Sequence, residues 1–185
     1  MTVDGYFDTV KKTLDSLDRK SMDSFVELIW DCYEREGTLY FFGNGGSGGN
    51  ASHMCGDMVK DVSNGLEKRF KVMCLNDNVP SMMAVANDIS YDDIFLEPLK
   101  NFLQAGDLVV GISGSGNSPN VVKALLYAKQ KDVSTVALCG FDGGKIKEIA
   151  DLSVHAQVQD MEVSEDIHSI IGHAVKKLLM EKLGK

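Results

Sequence analysis

The sequence predicts an α/β fold in which a five-stranded parallel sheet is covered by helices on both faces. Short, strongly apolar segments of strand length alternate with longer segments whose apolar residues recur every three or four positions. Strands that are separated by helices need crossover connections, which favour parallel pairing and a sheet buried on both faces. Two further amphipathic segments precede the first strand. We therefore expect one three-layer domain over residues 1–185.

Helices are predicted wherever apolar residues recur at helical spacing. The series from Phe7 to Leu17 predicts a leading helix over 3–20, and a second series predicts a helix over 22–36. Later helices are predicted at 51–62, 92–104, 120–131 and 164–183, with a short one after Asp142-Gly143-Gly144. Pro119, directly after Ser118, suits the first turn of its helix. Apolar runs that are too short for a helix predict strands at 38–42, 70–75, 107–112, 133–138 and 151–155.

Composition excludes several classes of protein. An apolar fraction of 44% and a charged fraction of 25% are ordinary for a globular domain of 185 residues. The net charge of −8, without a basic block, disfavours nucleic acid and anionic lipid as partners. We expect a cytoplasmic protein, because the sequence contains neither a secretory signal nor an apolar run of about 20 residues. Four cysteines without paired spacing are expected to be reduced and buried: Cys32, Cys55, Cys74 and Cys139.

Two glycine- and serine-rich turns are the most informative feature of the chain. Residues 43–50 follow the strand 38–42, residues 113–118 follow the strand 107–112, and each turn leads into a helix. Such turns present free backbone N–H groups and hydroxyls to a phosphate. The hydroxyls expected on the phosphate are those of Ser47, Ser113, Ser115 and Ser118. Neither turn has the lysine of a P-loop, and a tight connection is the alternative interpretation.

His53 and Asp57 follow the first turn and are four residues apart, so they share one face of a helix. This is the spacing of two metal ligands or of an acid–base pair, and a surface ion pair is the alternative. Acidic residues and His168 crowd the start of the last helix, where Ser164 could act as a cap. His173 lies among apolar residues, and a neutral core histidine is its alternative interpretation. The role of His168 is left open.

These motifs together resemble the sugar isomerase (SIS) family over nearly the whole chain. The motifs are Gly43-Asn44-Gly45-Gly46-Ser47 with His53, Gly111 to Ser118, Gly140 to Gly144, and Glu165 to His168 with His173. The resemblance implies a flavodoxin-like fold and a homotetramer with active sites between subunits. Residues 1–36 are expected to pack between subunits, and packing within one subunit fits their pattern equally well. The resemblance also implies an aldose–ketose isomerase that converts sedoheptulose 7-phosphate to D-glycero-D-manno-heptose 7-phosphate, an early step toward nucleotide-activated heptose.

The same resemblance implies roles for individual residues. The substrate would be bound by Asn44, Gly45, Gly46, Ser47, Asp88, Ser113, Gly114, Ser115 and Ser118. A divalent metal, usually zinc in this family, would be held by His53, Asp57, Glu165 and His173. An isomerase of this kind removes a carbon-bound proton, passes through an enediolate and returns the proton to the neighbouring carbon. Asp57 is the candidate base, and His173 is its acid–base partner.

Some residues depart from the family pattern. Position 57 is usually Glu, position 165 is usually Gln, and an arginine usual after the first helix is missing, with Lys60 near its place. Glu165 and His173 are also eight residues apart, about 12 Å along a helix, which is far for two ligands of one ion. The alternatives to the proposed reaction are isomerisation of another sugar phosphate and a non-catalytic SIS protein that associates with a replication initiator or senses sugar phosphates.

Overall fold

The computed structural model describes residues 2–185, so Met1 of the predicted domain and N-terminal extension lies outside the described residues. The α-helices are α1 (Val3–Ser16), α2 (Arg19–Glu34), α3 (Gly45–Asp57), α4 (Val79–Asp88), α5 (Leu96–Phe102), α6 (Pro119–Gln130), α7 (Gly144–Ile149) and α8 (Met161–Lys182). The strands are β1 (Thr38–Gly43), β2 (Lys71–Cys74), β3 (Leu108–Ser113), β4 (Ser134–Cys139) and β5 (Leu152–His155). A π-helical turn, Met58–Val62, extends α3, and a 3₁₀ turn, Tyr91–Asp93, precedes α5.

The predicted parallel sheet is confirmed. Its strands lie in the order β2-β1-β3-β4-β5, and every neighbouring pair is parallel. The chain moves from β1 to the edge strand β2 and then returns to pair β3 with β1. This reversal between β1 and β3 is the place where ligands bind in open α/β sheets, outside the carboxyl ends of the strands. Both predicted glycine turns lie at this place, because one follows β1 and the other follows β3.

Two apolar layers cover the sheet, one on each face. On one face, side chains of α2, α3 and α8 pack against Phe41 and Val110, and on the other, α5, α6 and α7 pack against Phe42 and Val109. The rings of Phe42 and Phe95 lie 4.9 Å apart across the second layer. Helix α1 lies on α8, where the Tyr6 hydroxyl donates to Asp166 at 2.6 Å. The three-layer arrangement therefore agrees with the predicted fold class.

The structure corrects several predicted elements. The helix predicted at 92–104 is a 3₁₀ turn followed by the shorter α5, and α4 was not predicted. Within residues 2–185, none of the α4 residues is fully buried, although Met82, Val85 and Ala86 pack against the second apolar layer. The glycine turn 43–50 is helical from Gly45 onward, and not only from residue 51. Helix α8 begins at residue 161 because Asp160, and not Ser164, accepts the N-cap hydrogen bond, from Val163 at 3.0 Å.

No helix in residues 2–185 is both long and apolar enough to span a bilayer. All four cysteines are free and buried, as expected. Burial raises the pKa of Cys32, Cys74 and Cys139 to about 12, which keeps these thiols protonated and unreactive.

His168 is a fully buried histidine in α8. Among the described residues, neither of its ring nitrogens has a hydrogen-bond partner. Burial therefore disfavours the imidazolium and lowers the pKa of His168 from 6.5 to about 4. His168, whose role the sequence left open, is thus a neutral histidine of the core.

We predict that His168 makes the protein less stable in mild acid. The pKa of His168 in the folded state is below its value in the unfolded state. Its contribution to the free energy of unfolding is therefore complete above pH 6.5 and is lost as the pH falls toward about 4. Between these two pH values, this one group lowers the free energy of unfolding by up to about 1.4 kcal/mol per pH unit. Urea unfolding of wild type and His168→Leu between pH 4 and 7 measures it, and the variant should show the shallower dependence. Parallel curves for the two proteins would contradict the prediction.

Candidate active site

The carboxyl end of β1 is fixed by Asn76, a residue that the sequence analysis did not single out. The Asn76 side chain donates to the carbonyl of Gly43 at 2.7 Å and accepts from the Gly43 N–H at 3.2 Å. A Cβ at Gly48 would lie 2.8 Å from the Gly43 carbonyl oxygen and 3.0 Å from Asn76 Nδ2. Glycine at position 48 therefore lets α3 begin directly against the end of β1.

A second polar network joins the ends of β1 and β3. The amides of Asn44 and the fully buried Asn120 exchange two hydrogen bonds, of 2.8 and 2.9 Å. The exposed Tyr91 also donates to Asn44 Oδ1, at 3.1 Å. These contacts occupy the Asn44 amide, so this N-cap residue makes no side-chain capping bond to α3 within the described chain. Backbone N–H groups at the start of α3 are therefore open to another acceptor.

The second glycine- and serine-rich turn also leads into a helix whose N-cap side chain makes no capping bond in the described chain. The hydroxyls of Ser113 and Ser118 lie 3.0 Å apart, and Ser115 accepts from the Asn117 N–H at 3.3 Å. Ser118 is the N-cap of α6, and among residues 2–185 its hydroxyl makes no capping hydrogen bond to the helix. Gly116 has a φ of 67°, and a Cβ there would lie 1.9 Å from the carbonyl oxygen of Gly143. The turn is thus tightly closed, and its three serines lie between the end of β3 and the start of α6.

Helix α8 approaches α3 so closely that three predicted residues form one group. His53 Nε2 lies 2.8 Å from His173 Nε2, while Asp57 Oδ2 lies 3.6 Å from the first nitrogen and 3.9 Å from the second. The approach needs a glycine beside His173, because a Cβ at Gly172 would lie 2.7 Å from Met54. The two imidazoles are about half exposed, whereas the Asp57 side chain is 14% exposed.

The three side chains form a possible metal site. Their ligand atoms lie within 4.8 Å of one another. Asp57 Oδ2 is buried and has no hydrogen-bond partner in the part of the chain that is described. Two imidazole nitrogens and a carboxylate oxygen are a usual ligand set for zinc. The two facing nitrogens, 2.8 Å apart, also require that one of them lacks a proton. The donor set therefore suits a divalent cation, although the geometry does not identify which one.

Glu165 is not brought into this group. It lies on the regular helix α8, eight residues before His173, and its carboxyl is directed at the backbone of Gly46. A Cβ at Gly46 would lie 2.2 Å from Glu165 Oε2, so the contact depends on glycine at that position. Burial raises the pKa of Glu165, and the Ser47 backbone N–H opposes this shift. Glu165 as a fourth metal ligand stays a prediction, and the structure instead places its carboxyl at the start of α3.

Lys176 contacts the group and was missed by the sequence analysis. Its ammonium lies 2.9 Å from Asp57 Oδ2 and 3.2 Å from Asp61 Oδ2, and the two carboxylates raise the pKa of Lys176. Lys176 correspondingly lowers the pKa of Asp61. Asp61 lies on the π-helical turn that directly follows Asp57. The Lys60 side chain is 85% exposed, and its ammonium lies 3.4 Å from Asp61 Oδ1, the carboxylate oxygen that does not contact Lys176.

Within residues 2–185, the structure does not bring Asp88 into contact with the other predicted site residues, and Gly45 and Gly114 contribute through their backbone. Asp88 is the exposed last residue of α4, and its carboxylate accepts from Asn87 at 2.7 Å. Gly45 adopts a φ of 53° at the first position of α3. A Cβ at Gly114 would lie 2.4 Å from the Met161 sulfur, so glycine lets this turn pass close to α8.

Comparison with known proteins identifies the family. A SIS domain model matches residues 5–140. The chain belongs to the SIS family. A phosphoheptose isomerase of Geobacter sp. strain M21 is 38% identical over 164 residues, which cover 88% of this chain and 84% of that protein. One from Citrifermentans bemidjiense is 37% identical, with the same coverage. The structure of a phosphoheptose isomerase from Neisseria gonorrhoeae has a TM-score of 0.86 and 26% identity, covering 95% of this chain and 92% of that one.

Membership of the SIS family, together with these relatives, gives the general activity. The chain is an isomerase of the phosphoheptose isomerase type. Both serine-containing helix starts lie at the β1–β3 reversal of this SIS fold, and the possible metal site lies further along α3, toward its C-terminal end.

We predict that Gly172→Ala disturbs the site by forcing α3 away from α8. The added methyl meets Met54 and should cost about 1–3 kcal/mol of unfolding free energy. It should also weaken zinc binding, because His173 moves from His53. Gly56→Ala is the matched control: its methyl meets no described atom within 4 Å, and alanine in a helix should stabilise by about 0.5–1 kcal/mol. Urea unfolding and zinc titration measure both effects. Equal stability and affinity in the two variants would contradict this account of the helix contact.

Proposed function

We propose that this protein interconverts sedoheptulose 7-phosphate and D-glycero-D-manno-heptose 7-phosphate, an early step toward nucleotide-activated heptose. The observations that carry the proposal are two helix starts without side-chain N-cap bonds at the β1–β3 reversal, and the group of His53, Asp57 and His173, which lies about two to three turns along α3 from its start. Isomerisation of a sugar phosphate requires a phosphate site and a proton-transfer site. The phosphoheptose isomerases that resemble this chain support the seven-carbon substrate.

The substrate phosphate would be bound by the starts of α3 and α6. Each start offers backbone N–H groups and the positive end of a helix dipole. Four serine hydroxyls add to them: Ser47, Ser113, Ser115 and Ser118. Because the whole chain carries a charge of −8, such local donors must provide the attraction for an anionic substrate. Asn44, Gly45, Gly46, Asp88 and Gly114 are proposed to complete the binding site.

Proton transfer between C1 and C2 is assigned to Asp57 and His173. Asp57 Oδ2 accepts no hydrogen bond of regular geometry in the described chain and lies 2.9 Å from the Lys176 ammonium, and this carboxylate is proposed to take the proton from carbon. His173 faces both Asp57 and His53 and would protonate the substrate as the carbonyl moves. The enediolate is the intermediate that this transfer implies.

His53, Asp57 and His173 are proposed to hold a divalent cation, for which zinc is the first candidate. A bound cation would polarise the sugar carbonyl and so favour removal of the neighbouring proton. Asp57 and His53 share one face of α3, and His173 faces them from α8, so the protein itself brings the three ligands together.

We further propose a homotetramer whose active sites lie between subunits. Helix α4 presents Val79, Met83 and Ile89 to solvent, next to an open groove of about 820 Å³ along the edge strand β2. Helix α1 likewise exposes Val3 and Phe7. Exposed apolar faces of this kind are typical of subunit contacts. Light scattering of the purified protein should give four times the monomer mass of 20.2 kDa, and a monomer would contradict this assembly.

We predict that His173→Ala abolishes isomerisation of sedoheptulose 7-phosphate. Loss of an acid–base group should lower kcat by about 100-fold or more without changing the assembly. His155→Ala is the matched control, since His155 lies at the end of β5 and contacts Lys147 and Phe141. Initial rates on ketose phosphates of five, six and seven carbons measure activity and substrate choice. A wild-type preference for a shorter sugar would contradict the proposed substrate. No turnover of any of them would favour a binding role.

We also predict that removal of metal lowers both activity and thermal stability. A cation that binds only the folded protein stabilises it, so chelation should lower Tm by several degrees as well as stopping turnover. Dialysis against a chelator, followed by differential scanning calorimetry and rate measurement, tests this. Added zinc should restore both properties. Unchanged activity and Tm after complete metal removal would contradict a role for metal.

A further inference from the structure

Lys176 is a positive charge fixed against the proposed metal ligands. It lies three residues after His173 on α8, so its side chain projects from the same face of the helix one turn further on. Its ammonium is 2.9 Å from Asp57 Oδ2, the oxygen that faces both imidazoles. The Lys176 side chain is only 16% exposed, so water screens this charge less than it would a surface lysine.

The two carboxylates contact Lys176 in different ways. Lys176 donates a hydrogen bond to Asp61 Oδ2 at 3.2 Å. Its contact with Asp57 Oδ2 is a closer ion pair of 2.9 Å, although that oxygen accepts no hydrogen bond of regular geometry within residues 2–185. Asp61 therefore helps to hold the ammonium in place, while the lysine charge acts directly on Asp57.

We infer that Lys176, anchored by Asp61, sets the metal affinity of the His53–Asp57–His173 site by opposing the charge of the bound cation. This inference rests on the proposed metal site and deepens it. Without metal, the ammonium neutralises part of the Asp57 charge. A cation held by these residues would add a second positive charge beside the ammonium, and the two positive charges would repel each other.

Lys176 could also favour metal binding by orienting the Asp57 carboxylate, so the two effects must be compared. Asp57 has a short side chain on a regular helix, and α8 already packs against it. Little orientation is therefore left for Lys176 to supply. Repulsion between the ammonium and the cation is the larger effect, so removing the charge should tighten binding. The lysine then makes the bound metal exchangeable rather than permanent.

Zinc titration of metal-free variants tests this inference. Lys176→Met and Lys176→Gln remove the charge, and we expect each to bind zinc about tenfold more tightly than wild type or better. Lys176→Arg keeps the charge and should stay within about threefold of wild type. Lys177→Met is the matched control, because it removes the same charge from an exposed neighbouring position on α8. Calorimetry in the presence of a competing chelator gives the affinities, and circular dichroism verifies that each variant is folded.

The outcomes separate this inference from the proposed metal site. Unchanged or weaker zinc binding by folded Lys176→Met or Lys176→Gln would overturn the role of Lys176. An equal gain in Lys177→Met would overturn it as well, since the effect would then come from net charge alone. His173→Ala tests the site itself: if this variant binds zinc like wild type, the metal site fails, whatever the lysine variants show.

Discussion

The close approach of α3 and α8 is the constraint on which the site depends. Gly172 removes the side chain that would collide with Met54, and the Asn50 amide donates to the Glu165 carbonyl at 2.9 Å. Together these contacts hold two helices that are more than a hundred residues apart in the sequence. Only this packing brings His173 to 2.8 Å from His53. The start of α3 is positioned separately, by Asn76 and the glycines that follow β1.

The start of α3 accommodates a negatively charged side chain of the protein itself, without a basic side chain beside it in the described contacts. Asn44 is held by Asn120 and Tyr91 and does not cap the helix within the described residues. The Glu165 carboxyl is the group that lies against this start, beside Gly46. A helix N-terminus favours a negative charge through its free N–H groups and its dipole.

The sequence was sufficient for the sheet and for the three residues of the possible metal site. Apolar runs located the five strands, and the spacing of His53 and Asp57 placed them on one helix face. The glycine-rich segment from Gly45 was expected to be a loop, because glycine is a poor helix former and only tertiary contacts favour the helix there. Helix α4 was missed because its apolar residues do not form one buried face: Met82 and Val85 are partly buried, while Val79 and Met83 are exposed.

Lys176 could not be predicted for a related reason. A lysine on a helix resembles a solvent-exposed residue in sequence, and its contact with Asp57 arises only from packing between α8 and α3. Glu165 shows the opposite case. Its eight-residue separation from His173 already indicated about 12 Å along a helix, and the structure shows a regular helix between them.

The most direct test of the account follows the substrate's own proton. Zinc-loaded protein is incubated with sedoheptulose 7-phosphate in heavy water, and the products are followed by proton NMR. The account predicts an aldoheptose phosphate that carries deuterium at C2, because an enediolate exchanges its proton with solvent through the acid–base residues. Absence of conversion by fully metal-loaded protein would contradict the assignment of Asp57 and His173 to proton transfer on this sugar.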